Sequence, residues 1–264
     1  MSSSHYSELG AVLAVVALLA VAATPAAAVS VSGDEPSTAQ VGEQQSTTFE
    51  VAEPFSDYEE WTLRAETDLE NVTWTIQTFD NAGNQVDEET LTGQTIEYDF
   101  DAATAVTRAD VQIEGTTPGT ETFQWSYDPE QTVTYASFEQ TQRGGSTSQI
   151  GSAFETRPYT TDSREARRAI DDAEAAVKRA TDAGGSVTGA ERDVRDAIEF
   201  YNAGEFSQAV TNANEAESAA SSAQSSAKRT RLLMYGGAAV VVLLVLGGLG
   251  YWYLQQRDTY DKLG

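Results

Sequence analysis

The run NVTWTIQTF, residues 71–79, decides the fold class. Val72, Trp74, Ile76 and Thr78 alternate with Thr73, Thr75 and Gln77, and a period of two puts the first set on one face of an extended strand and the second on the other. The same pattern recurs on both sides of it, in STTFEVA (46–52), EWTLRAE (60–66), TIEYDF (95–100), ADVQIEG (109–115), ETFQWSY (121–127) and TVTYASFEQ (132–140). Turn-forming residues punctuate these runs at Asn81-Ala82-Gly83-Asn84, Thr92-Gly93, Thr117-Pro118-Gly119, Asp128-Pro129 and Gly144-Gly145. Short alternating strands at this spacing over 29–158 predict an antiparallel sandwich, with Trp61, Trp74 and Trp125 in its core.

Beyond Pro158 the period becomes helical. Asp162 and Glu165 read as a helix start, and Ala166, Ile170, Ala173, Val177 and Ala180 form one stripe, which Gly184-Gly185 ends. Thr188 and Glu191 read as a second capping box, before a stripe of Val194, Ile198 and Tyr201 that stops at Gly204. Phe206, Val210, Ala213, Ala220, Ala223 and Ala227 mark a third helix. That helix runs through Lys228, Arg229 and Arg231 into LLMYGGAAVVVLLVLGGLGYWYL, 232–254. At 1.5 Å per residue this segment reaches about 35 Å, against a hydrocarbon core of about 30 Å, so a transmembrane helix is expected with some tilt. Tyr251, Trp252 and Tyr253 form an interfacial belt at one end, and the Lys228, Arg229, Arg231 collar sits at the other. Gly236-Gly237 marks a candidate hinge.

At the other terminus LGAVLAVVALLAVAA, 9–23, followed by Ala26-Ala27-Ala28, reads as a signal peptide cleaved after Ala28, although MSSSHYSE before it has no Lys or Arg. A retained second membrane helix is the alternative. An exported chain has its acidic part outside and 255–264 as a short cytoplasmic tail. The basic collar then lies outside, contrary to the positive-inside rule, and the inverted orientation is the rival topology.

The 264 residues carry a net charge of −25 with lysine only at 178, 228 and 262. Nucleic acid is not an expected partner, because its binding requires clustered cations away from a membrane segment. Carboxylates spread over the exterior, rather than gathered in one tail, suit a chain folded where salt shortens the Debye length to about 3 Å. In this composition the chain resembles proteins of extreme halophiles, mainly halophilic archaea. VGEQQSTTFEV (41–51) and FDNAGNQV (79–86) resemble the opening strand and the hairpin of bacterial and archaeal Ig-like surface modules, which implies an Ig-like ectodomain and carries over no activity. AIEFYNAGEFSQAV (197–210) resembles a single helix-turn-helix junction of a tetratricopeptide repeat. One copy implies a small alanine-rich bundle or hairpin over 159–231 rather than a peptide-binding solenoid.

The chemistry left open is narrow. There is no cysteine, and the single histidine, His5, lies in the leader, so triad, thiolate and imidazole-metal chemistry are excluded for the mature chain. No cofactor and no metal site are expected. Carboxylate pairs at Glu59-Glu60, Asp87-Glu88-Glu89 and Asp171-Asp172 have the residue types of a glycosidase, but read first as solvated surface. Asp80, Asn81, Asn84 and Asp87 offer oxygens to Ca²⁺ without the twelve-residue loop spacing, and a hairpin turn accounts for them equally. Asn71-Val72-Thr73 is an N-glycosylation sequon if exported. The expected function is that of a non-enzymatic, membrane-anchored cell-surface binding or structural protein, bound to the bilayer by 232–254 and to a protein or an envelope glycan. An accessory subunit of a transport or secretion complex and an envelope-glycan hydrolase are the alternatives.

Overall fold

The computed structural model describes residues 28–257, with the side chains of 235–239, 250 and 253–257 outside the description. The signal peptide expected at 1–28 thus falls outside the described residues except for Ala28, and so does the tail from 258 onward. The chain forms two compact units. One comprises the residues up to Gly119 together with Thr132–Pro158; the other comprises Thr120–Gln131 and the chain from Tyr159 onward.

The first unit is two mostly antiparallel sheets. Its strands are β1 (Ser30–Gly33), β2 (Thr38–Gln40), β3 (Gln44–Ala52), β4 (Glu60–Glu66), β5 (Glu70–Asp80), β6 (Gln85–Thr92), β7 (Thr95–Asp101), β8 (Val106–Thr116), β9 (Val133–Gln142), β10 (Thr147–Gln149) and β11 (Phe154–Tyr159). One sheet has the order β1-β3-β8-β5-β6 and the other β2-β11-β9-β4-β7, with β10 attached to β9. The alternation read in 71–79 is borne out: Val72, Trp74, Ile76 and Thr78 are buried in β5. Their register sets Trp74 opposite Ile113 and Ile76 opposite Val111 of β8. Phe49 of β3 packs its ring 4.6 Å from Phe154 and 5.2 Å from Phe138, so both sheets contribute to one core. Edge strand β6 is exposed along nearly its whole length and carries Asp87, Glu88 and Glu89, charges that discourage pairing with another chain.

Helices build the second unit: α1 (Thr161–Asp182), α2 (Thr188–Asn202) and α3 (Phe206–Arg257). Two cap expectations are corrected. The first box is made by Thr160 and Ser163, whose hydroxyls and backbone N–H groups bond reciprocally, so Asp162 only adds charge to the first turn. The second helix has Val187 as N-cap with no side-chain cap bond, and Thr188 is already helical. Buried Ala166, Ile170, Ala173, Ala176 and Ala180 of α1 face Ala190, Val194, Ala197 and Tyr201 of α2 and Ala209, Ala213, Ala216 and Ala220 of α3. Steps of three and four keep each stripe on one side of its helix. Val177, Ile198, Phe206 and Val210, expected in the stripes, are only partly buried.

The helices approach closely because their contact residues are small. A Cβ added at Gly185 would lie 2.9 Å from the Ala223 carbonyl oxygen. Gly204 stands between α2 and α3 at φ +77, where a side chain would be strained, and opens space for Trp125. Helix α3 runs without a break through Gly236-Gly237, so the candidate hinge is absent from its backbone.

One strand expectation fails. ETFQWSY forms no strand; residues 120–131 are an irregular strap that belongs to the helical unit, and Trp125 therefore lies outside the sandwich core. Its rings of contact are Phe206 at 4.9 Å, Phe123 at 4.9 Å and Tyr201 at 6.2 Å.

Candidate functional site

The C-terminal half of α3 is the most unusual surface of the molecule. Up to Ala220 the helix buries an alanine every three or four residues; from Leu232 onward its described large apolar side chains are exposed. Leu232 is 75% exposed, Leu244 71% and Val245 55%. Tyr251 and Trp252 of the expected belt are exposed as well, and the side chain of Tyr253 is outside the description. Among the described residues, however, no helix is long and apolar enough to cross a membrane. The segment expected to span, 232–254, is helical, but the transmembrane helix itself is not found among the described residues.

Lys228, Arg229 and Arg231 are exposed, and among the described residues none of them has a carboxylate partner. Between Glu217 and Arg257 they are the sole charged side chains in the sequence. Arg231 extends toward the turn after α1, where a Cβ at Gly184 would lie 3.6 Å from its guanidinium nitrogen. There a groove of about 340 Å³ opens between Ala183–Ser186 and one side of α3, lined by Ser186, Ser226, Thr230 and Arg231. Sequence reasoning singled out Arg231 but missed the three hydroxyls, which carry no spacing signal across two separate elements.

The strap is held to the helices by a dense polar set. Tyr127 donates its hydroxyl to Asp171 at 2.6 Å and to Glu174 at 3.1 Å, and its N–H to the Asn202 side-chain oxygen at 2.8 Å. Arg167 donates to the carbonyls of Tyr127 at 2.7 Å and Ser126 at 3.3 Å, with its guanidinium 4.6 Å from the Tyr127 ring centre. Burial first, and then the bond and charge of Asp171, push the Tyr127 phenol well above its ordinary range. Since the folded chain holds that proton more tightly, the strap's contribution is complete below about pH 10, the unfolded phenol value, and declines above it. Phenolate absorbance and helical ellipticity followed together from pH 9 to 12 should show the Tyr127 ionisation arriving with loss of structure; Tyr127→Phe should remove that phenolate signal.

The sequence-marked carboxylates are separate and committed to local partners. Glu60 accepts from Arg143 at 2.7 Å, Asp99 from Thr62 at 2.6 Å, and Asp101 from the Ala103 N–H at 2.8 Å, around a cleft of about 150 Å³ floored by buried Trp61. Glu59, Asp171 and Asp172 are exposed, as are Asp87, Glu88 and Glu89 of β6. Asp80 organises its hairpin: the Asn84 side-chain amide, then the Asn84 and Ala82 N–H groups, hold its carboxyl below the usual range. Those bonds use the same oxygens that Ca²⁺ would need, and among the described residues no group of three carboxylate or imidazole side chains gathers for a metal. Trp61 and Trp74 are buried at 2% and 0% exposure, which leaves neither ring free to stack on a sugar. Asn71 is exposed, at φ +53, where the β5 register with β8 shifts.

No protein-family model matches the chain, and no curated protein sequence matches it. Among solved structures it is similar to a DUF4466 family protein from Parabacteroides merdae, at 15% identity and a TM-score of 0.32, over 51% of this chain and 45% of that one. The likeness thus spans under half of that chain.

Proposed function

We propose that the chain is a non-enzymatic, membrane-anchored cell-surface protein of an extreme halophile, with an Ig-like sandwich as ectodomain. The observation that carries this reading is α3: one unbroken helix, packed through alanines in its first part and, among the described side chains, exposed from Leu232 onward. Soluble monomers rarely leave so large an apolar surface in water. A bilayer is the occupant that fits it. The 23 residues of 232–254 reach about 35 Å and are helical throughout, the form that satisfies backbone groups internally, and cations and aromatics stand at opposite ends of the sequence segment. The strand order β1-β3-β8-β5 opposite β2-β11-β9-β4 supports the Ig-like reading, since it follows the A-B-E-D and G-F-C arrangement of such sandwiches with β6 and β7 added. Exposed Asn71 is accessible to a glycosyl transferase on the exported side.

The test is fractionation at molar salt. The full chain should float with membranes and leave them only in detergent, whereas a chain ending at Arg231 should stay soluble. Recovery of the full chain in the soluble fraction would end the anchor reading. Digestion of the acidic domain by protease added to intact cells supports export; complete protection favours the inverted topology. The half-exposed Phe123 and Trp125, beside Asn202 on the helical unit, favour a second reading as an accessory subunit docked through that face. A stoichiometric partner in detergent extracts, lost on Trp125→Ala, would distinguish it.

A further inference from the structure

The groove beside Arg231 has no role as a mere tether. It contains no carboxylate, although the chain as a whole carries a charge of −25, and its polar lining is hydroxyl and guanidinium. Two of the hydroxyls, Ser186 and Ser226, are exposed, while Thr230 spends its proton on the Ser226 carbonyl at 3.0 Å and retains lone pairs alone. Donors therefore predominate: two serine O–H groups and the Arg231 fork.

Local dipoles do not oppose an anion there. The C-terminus of α1 brings a partial negative charge to this turn, but its end is closed by N–H bonds from Gly184 to Thr181 and from Gly185 to Ala180. Helix α2 starts at Thr188, so its partial positive end offsets the first within a few residues. Asp182, adjacent to the lining, is paired with Lys178 at 3.6 Å, and Arg231 is the ionised side chain that lines the groove, with Lys228 and Arg229 on the same helix.

Position names the ligand. Arg231 directly precedes Leu232, and Ser226 stands six residues earlier, about 9 Å along the helix. A headgroup layer above the hydrocarbon is about 5–8 Å deep per leaflet, so Arg231 falls within it and Ser226 at its outer edge. We infer that this groove is a binding site for the phosphate headgroup of an anionic lipid, with Arg231, Ser186 and Ser226 as its donors. The inference rests on the anchor reading above and gives the collar a specific lipid partner.

The full chain in neutral detergent micelles at 1 M KCl separates the possibilities, since screening at about 3 Å suppresses diffuse attraction and leaves contact binding. Micelles doped equally with phosphatidylglycerol and phosphatidylcholine are passed over a sizing column, and the lipid retained per protein is measured. Phosphatidylglycerol should be enriched about fivefold, the effect of roughly one cation's worth of lipid attraction. Arg231→Gln should abolish the enrichment, and so should Ser186→Ala with Ser226→Ala, which keeps the test valid if loss of Arg231 loosens the end of α1. Lys228→Gln with Arg229→Gln should leave most of it. Equal retention of both lipids, or a loss that follows Lys228 and Arg229 instead of Arg231, overturns the groove. Displacement of the lipid by inorganic phosphate would assign the site to free phosphate and overturn the lipid assignment. A chain that carries no micelle refutes the anchor and this inference together, while a micelle without lipid preference refutes this inference alone.

Discussion

Trp74→Ala is expected to unfold the sandwich unit under conditions where the natural chain is folded. The indole is fully buried on β5, faces Phe138 edge-on at 6.4 Å, and donates its N–H to the Gly93 carbonyl at 2.9 Å. Truncating a buried Trp costs about 3–5 kcal/mol through lost transfer and the cavity left behind. The Gly93 acceptor belongs to an exposed residue, where water can replace the indole N–H, so the lost bond adds little. Against a typical domain stability of about 5–15 kcal/mol, that loss of a buried indole removes a large share of the margin. Trp74→Phe keeps a ring and loses the N–H, so it should cost markedly less. Denaturant titration at fixed molar salt, read by β-sheet ellipticity and by the remaining tryptophans, measures both. A Trp74→Ala chain within 1 kcal/mol of the natural one would mean that this residue is not the centre of the core.

The second large effect is expected in the helical unit, from the double substitution Trp125→Ala with Tyr127→Ala. Its core is built from small residues: among its buried apolar side chains, those larger than alanine are Tyr127, Ile170, Val187, Val194 and Tyr201. One of those five comes from the strap. Removing it deletes the ring beneath Arg167, whose side chain is 15% exposed, and withdraws the phenol shared by Asp171 and Glu174. Losing Trp125 as well strips the edge contacts to Phe206 and Tyr201. Two large aromatic truncations, each about 3 kcal/mol or more, should leave the bundle loosely packed or unfolded. Fragment 159–231 should behave likewise on its own, and supplying 120–131 through a flexible linker should restore a cooperative melt. A fragment that melts cooperatively without the strap would show that the three helices suffice.

The strap also shows where sequence reading reached its limit. ETFQWSY alternates polar and aromatic residues as faithfully as NVTWTIQTF does, since any extended chain lying on a surface presents every second side chain to it. Alternation reports an extended backbone with one covered face, and says nothing of whether the cover is a sheet or a pair of helices. In β5 the same pattern coincides with ladder partners on both sides; in the strap there are none. Helix ends were hard for a related reason. Ser163 closes the α1 box with a hydroxyl where Glu165 was expected to act, and α2 starts without any side-chain cap, so the acidic residues of the two first turns, Asp162 and Glu191, did not mark the cap positions. The apolar segment and the collar were plain from composition. The groove was not, because its parts lie about forty residues apart and consist of serine, threonine and glycine, residue types too common to mark a site.

The strap precedes in the chain almost everything it binds. The Tyr127 N–H meets Asn202, 75 positions later, whereas the strands that complete the sandwich end at Tyr159. During synthesis the sheets can therefore close while residues 120–131 still hang as an unsatisfied loop between β8 and β9. That loop displays Phe123, Trp125 and Tyr127 until Tyr201 and Phe206 leave the ribosome, which at about 5–20 residues per second is an interval of several seconds. For that time the nascent chain carries a sticky aromatic tag. A holding chaperone would meet the strap before its own helices do.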